Sequence, residues 1–159
     1  MVNNEEQQKL LSKTLDSVIR REVSCVADHL KNPKQVYYLA ETPVKEKVEY
    51  FLRQYNPINA MEVEDLSLVD KHDVLFFVIQ GEPTVANLEK AKEFEAKLAK
   101  LTGITDEIES SISYLSKDVL GIHVPNSEGV EETTYNKVFL EALEIVLGIM
   151  KEKIARSYS

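Results

Sequence analysis

The side chains of this chain that could do chemistry are three histidines, one cysteine and a wide scatter of carboxylates. His29, His72 and His123 lie far apart, and none stands in a His-x-x-x-His spacing, so no metal centre is expected. His123 is the most informative of them. On a strand it shares a face with Gly121, opposite Leu120, Ile122 and Val124, and the glycine leaves room beside an imidazole. His123, Tyr114 and Asp73 form the candidate ligand-binding set, since a ring nitrogen, a phenol and a carboxylate can orient a polar molecule in a pocket. The plainer alternative for His123 is a solvent-facing strand residue. His29 falls at a helix C-terminus, where it meets the helix dipole, and His72 falls in a turn.

The turn Gln80-Gly81-Glu82-Pro83-Thr84 separates an apolar run from a helix. A glycine followed by a helix N-terminus can receive an anion. One glycine is not a phosphate loop, however; Glu82 repels a phosphate and Pro83 removes an amide donor. The favoured reading is a tight connection capped by Thr84. Glu62, Glu64, Asp65, Asp70, Asp73, Asp106, Glu107 and Glu109 offer many carboxylates, but acid–base work needs two of them in different environments in one cleft, and linear spacing shows no such pair. No rigid loop of alternating oxygen ligands exists to hold a hard cation. Cys25 falls near an apolar helical stripe and reads as a buried, inert thiol. No catalytic residues and no cofactor are expected, and no motif carries a family resemblance.

These groups sit in a chain of 159 residues, 43% hydrophobic and 29% charged, with net charge −8. That size and composition describe one globular domain, residues 1–159, in which 1–31 is a helical extension. The negative charge excludes an electrostatic nucleic-acid binder unless Lys31, Lys34, Lys45, Lys47 and Arg53 gather on one face. A single cysteine forbids an internal disulfide. The polar start of the sequence holds no secretory leader, and no segment is long and apolar enough to span a bilayer, so a cytoplasmic protein away from membranes is expected.

Periodicity supplies the elements that position the candidate groups. Residues 4–30 read as one helix with Asn4 and Gln7 as a capping box. Gln35–Ala40 reads as a strand, with Tyr37 and Tyr38 on opposite faces. Thr42 and Pro43 then start a helix running to Tyr55, with Val44, Val48, Phe51, Leu52 and Tyr55 on one side. Asn56-Pro57 stops it. Ala60–Val69 reads as a strand with a bulge near Glu64-Asp65. The polar turn Asp70–Asp73 leads into Val74–Ile79, six uninterrupted apolar residues that read as a strand buried on both faces. Those two strands most simply form a hairpin. A helix follows from Val85 to Leu101, ended by Thr102-Gly103. Ser111–Leu115 alternates like a strand, Val119–Val124 is a clearer one, and a last helix runs from Thr133 or Thr134 to about Arg156.

The expected fold is therefore α+β: a small antiparallel or mixed sheet with a ferredoxin-like β-α-β-β-α-β core, flanked by N- and C-terminal helices. The alternative is an α-β-β-α-β-β-α sandwich of the adaptor or chaperone kind. The last helix is apolar around most of its circumference. Phe139, Leu143, Val146, Leu147 and Met150 therefore suggest an interface, within the chain or with a second copy, and Gly148 a close backbone approach. The preferred functional expectation is a non-catalytic interaction or adaptor module that self-associates through its terminal helices, as a homo-oligomer or a subunit of a protein assembly. The alternative is a small-molecule binder or small enzyme with a pocket between sheet and helices around His123.

Overall fold

The computed structural model describes residues 4–31, 33–54, 60–125 and 130–157. Its elements in order are α1 (Asn4–Asp16), α2 (Arg20–His29), β1 (Val36–Ala40), α3 (Lys45–Gln54), β2 (Ala60–Glu62), β3 (Val74–Ile79), α4 (Val85–Ala96), β4 (Lys100–Thr105), α5 (Ser111–Tyr114), β5 (Asp118–Gly121) and α6 (Glu132–Ser157). The strands form one sheet in the order β2-β1-β3-β4-β5, and every pairing is parallel.

The parallel sheet corrects the expected fold. β3 lies at its centre and is buried on both faces, the behaviour of a strand covered by helices on each side. Val74, Phe76 and Val78 join a core with α2, α3 and α6, while Leu75, Phe77 and Ile79 join a second core with α4 and Ile112. The molecule is a three-layer α/β domain, neither ferredoxin-like nor an adaptor-type sandwich. The supposed hairpin partner of β3 is only Ala60–Glu62, an edge strand paired with β1. Beyond it, Val63 and Val69 reach into the second core from irregular chain that returns to the start of β3. Their apolar spacing, read as strand, is that of a loop packed on a sheet.

Other boundaries moved for local reasons. The N-terminal helix breaks at 17–19, where the Ser17 hydroxyl donates to the Thr14 carbonyl at 2.6 Å and to the His123 carbonyl at 3.3 Å. Asn4 is the first residue of α1, and Gln7 donates to Glu141 on α6 at 2.8 Å. α4 ends at Ala96 in a Schellman turn: Ala99 N–H bonds the Phe94 carbonyl and Leu98 N–H the Glu95 carbonyl. Leu98 takes the left-handed position, φ 64°, which glycine usually fills, and its side chain is 74% exposed. Leu101 belongs to β4, and Gly103 stands inside that strand opposite Phe77. A Cβ at Gly103 would lie 2.6 Å from the Phe77 ring. Residues 111–114 form a short helix rather than a strand. Tyr55 to Asn59 and Asn126 to Gly129, where a helix end and a loop were expected, lie outside the described residues.

α1 and α2 pack on α6, and α2 also packs on β5. They supply the cover that the over-apolar last helix needs. Phe139, Leu143, Val146, Leu147 and Met150 are all buried within the chain. Among the described residues, no atom beyond its own stretch of helix lies within 4 Å of a Cβ built at Gly148, so no other element of this chain packs closely there.

Candidate functional site

In an open parallel sheet the ligand crevice lies at the carboxyl ends of the strands, where successive crossovers leave in opposite directions. Here that point lies between β1 and β3. From β1 the chain moves outward to β2, and from β3 it moves the other way to β4. The residues just past those ends are Glu41 after β1, Gln80–Thr84 after β3, Asp106 after β4 and Ile122–Val124 after β5.

Three carboxylates meet the turn after β3. Gly81, held at φ +75°, donates its N–H to Asp106 Oδ1 at 2.7 Å. The other oxygen of Asp106 accepts from the Tyr135 hydroxyl of α6 at 2.8 Å. Thr84 N–H and the Asn87 side-chain amide both donate to Glu41 Oε2, at 2.9 and 2.6 Å, while the Thr84 hydroxyl caps α4 by accepting from Asn87 N–H. Glu82 reaches the other way and accepts from Ser111 N–H and Oγ at 2.9 and 2.8 Å. Gln80 donates to Asn136 of α6 at 2.5 Å. Burial, then the bond and charge of Asp106, push the Tyr135 phenol above its usual range, so it stays a protonated donor.

Beside this turn a groove of about 710 Å³ opens between the ends of β4 and β5 and the starts of α2 and α6. Glu22, Asp106, Gly121, His123, Glu132 and Tyr135 are among its lining. Glu22 is fixed by Gly121 N–H at 3.2 Å. Of the described residues lining the groove, none is lysine or arginine. An ionised carboxylate has about four acceptor positions, so Asp106 and Glu22 keep lone pairs for a ligand's hydroxyl or ammonium hydrogens. A larger groove, about 990 Å³, lies between α3 and α6, with charges of both signs along it.

The structure brings only part of the expected set together. His123 and Gly121 do line one groove, but the groove is open and the His123 ring is exposed. Tyr114 is 75% exposed on α5, and Asp73 lies at the opposite end of β3. Tyr37 is buried edge-on against Phe94, ring centres 5.4 Å apart, while half-buried Tyr38 donates to Glu49 at 2.7 Å. Cys25 is partly buried. His29 bonds Asp118 at 2.5 Å. Among the described residues no group of His, Cys, Asp and Glu is arranged to hold a metal ion, and no helix is long and apolar enough to cross a membrane. Sequence reading missed Glu41, Tyr135 and the pairing of Asp106 with Gly81. The one local signal was Gly81 itself.

No family profile and no curated protein matches the sequence. Solved structures do match its fold. A putative sugar-phosphate isomerase from Listeria monocytogenes superposes with a TM-score of 0.79 at 12% identity, over 97% of this chain and 85% of that one. A hypothetical protein from Methanococcus jannaschii, whose structure is described as inferring a 3-hexulose-6-phosphate isomerase function, gives 0.77 at 14% identity over 96% and 91%. The sugar isomerase domain of an RpiR transcription factor from Sphaerobacter thermophilus gives 0.74 at 11% identity over 96% and 87%. At such identities the likeness is one of fold. It nevertheless overturns the expectation of a non-catalytic adaptor module. The similar structures bear sugar isomerase names. The pocket alternative fits better.

Proposed function

We propose that this chain binds a sugar-type small molecule, of the sugar and sugar-phosphate class named for the similar structures, at the carboxyl ends of its strands. The observation that carries the reading is the groove at the ends of β4 and β5, joined to the turn after β3 through Asp106, into which Asp106, Glu22, His123 and Tyr135 converge from four separate elements. Carboxylates held by backbone amides are pre-positioned acceptors for the hydroxyl groups of a polyol. A second reading, aldose–ketose isomerisation, rests on the same groove: moving a proton between adjacent sugar carbons needs a base, and His123 with Glu22 or Glu132 supplies candidates. A cytoplasmic location goes with either reading.

The test is thermal melting with a panel of neutral sugars, amino sugars and sugar phosphates at about 10 mM each. A ligand present at ten times its Kd stabilises by about 1.4 kcal/mol, a rise of about 3–6 °C for a chain of this length. At least one member of the panel is expected to give such a rise in the wild type and not in Asp106→Asn. A flat panel sinks the proposal.

A further inference from the structure

We infer that Glu41, Glu82 and Asp106 are specificity-determining residues that close the turn after β3 to phosphate, so that the sugar accepted beside it carries no phosphate at that end. The ligand class named in this inference rests on the sugar-binding proposal above; the closure itself does not.

The turn after β3 has the ingredients of an anion cradle: a glycine at positive φ, then the N-terminus of a twelve-residue helix. The chain itself supplies the anions. The Gly81 amide is taken by Asp106. The Thr84 amide and the Asn87 side chain at the start of α4 are taken by Glu41. Glu82 projects from between these positions and holds Ser111. A phosphate entering here must displace charge-assisted bonds and stand among three carboxylates. The adjacent groove supplies no compensating cation: its lining adds Glu22, Glu107, Glu109 and Glu132 but no lysine or arginine among its described residues. The same carboxylates suit uncharged hydroxyls, and suit an ammonium better, so neutral sugars and amino sugars are the favoured class.

Two measurements test this. In the first, inorganic phosphate is titrated against wild type and Glu41→Gln/Glu82→Gln, with melting and ³¹P line width as readouts and chloride of equal ionic strength as control. Glutamine keeps an oxygen for the same amide donors, and the Glu82→Gln single variant serves if the double variant melts early in phosphate-free buffer. Wild type is expected to show no phosphate-specific response, and the variant a gain of at least tenfold in apparent affinity. A wild-type response as strong as the variant's overturns the closure, as does a variant with no gain. In the second, wild type is offered a neutral sugar from the panel and its phosphate ester. The neutral form is expected to bind at least tenfold tighter. An ester that binds as tightly or tighter overturns the inference while the sugar-binding proposal stands. A panel in which no sugar binds overturns that proposal, and the phosphate titration still decides the closure.

Discussion

The two ends of the sheet handle their polar groups in opposite ways. At the amino end, Asp70 accepts from Lys34 at 2.9 Å and from the His72 amide at 2.8 Å, and Asp73 accepts from the Asp70 amide at 2.9 Å. These bonds close the turn before β3 and hold Lys34, two residues before β1, against it, while His29 of α2 meets Asp118 at the start of β5. At the carboxyl end, the bonds of Glu41, Asp106 and Tyr135 run between the exits of different strands and helices. The first arrangement closes a turn. The second holds acceptors at the mouth of a groove. A parallel sheet favours this asymmetry: every strand ends on the same side, so that side gathers the strand-to-helix loops and the helix N-termini that follow them.

The frame common to both ends should be the most sensitive part. Gly103 sits opposite Phe77, and a Cβ there would overlap the Phe77 carbonyl oxygen and lie 2.6 Å from its ring. Gly103→Ala is expected to cost about 3 kcal/mol, the upper part of the overpacking range, lowering the melting temperature by about 6–12 °C. Both ends should weaken together. A melt within about 1 °C of wild type would show that the backbones of β3 and β4 can shift apart, and that the two ends are less rigidly linked than the packing implies.

A contrast between two aspartates separates the ends. Asp106→Ala orphans Gly81 N–H and the Tyr135 hydroxyl, both only partly buried, for about 1–2 kcal/mol, and should abolish any sugar-induced rise in melting. Asp73 is 2% exposed, and its Oδ1 finds no hydrogen-bond partner among the described residues. Removing a desolvated carboxylate oxygen offsets the lost bond from Asp70 N–H. Asp73→Ala should therefore stay within about 1 kcal/mol of wild type and leave ligand response intact. Equal loss of response in both variants would erase the distinction between the ends.

Legibility followed the same division. Elements whose signal is local could be read: β3 from its apolar run, α3 from Val44, Val48, Phe51 and Leu52, and β1 from Val36–Ala40. Strand direction could not, because it is set by the path of the connections, and Val63 and Val69 imitate a strand while packing from a loop. The end of α4 was missed because leucine stands where glycine usually marks the stop. At the site, Gly81 and Glu82 were visible as a turn, but their partners were not. Glu41 lies 46 positions from Asn87, Asp106 lies 25 from Gly81, and Tyr135 lies 29 from Asp106. Separations of that size carry no local pattern; only the crossover topology brings them to one edge.

Leu98 offers a smaller test of the structural side. A left-handed residue with an exposed side chain bears backbone strain and contributes little packing. Leu98→Gly removes the strain but adds flexibility to the unfolded chain, leaving a net gain of about 0.5–1 kcal/mol. Sugar binding should be unchanged, since Leu98 lies at the far end of α4 from the turn after β3. A loss of stability would show that the Schellman turn is not strained by leucine.

The smallest expected effect is a difference in pH response between the ends. The hydrogen bond from Lys34 holds the Asp70 carboxyl below its ordinary value of 3.8. A lowered folded value means that the unfolded chain takes up the proton first. The contribution of Asp70 is complete above the ordinary value and fades as pH falls through the folded one. Tyr135 behaves in the reverse sense: burial and Asp106 raise its phenol above the ordinary 10.0. The unfolded chain ionises first as pH rises, so its contribution is complete below 10.0 and is lost above it. Asp70→Asn should flatten part of the acid limb of a melting-temperature profile, which Asp65 shares, and also soften the alkaline limb, because Asp70 raises Lys34. Tyr135→Phe should flatten only part of the alkaline limb, because Tyr38, raised by burial and Glu49, titrates in the same direction. If Tyr135→Phe left the alkaline limb unchanged, the Tyr135–Asp106 bond would not hold the phenol protonated, and the link between α6 and the turn after β3 would be weaker than its 2.8 Å length implies.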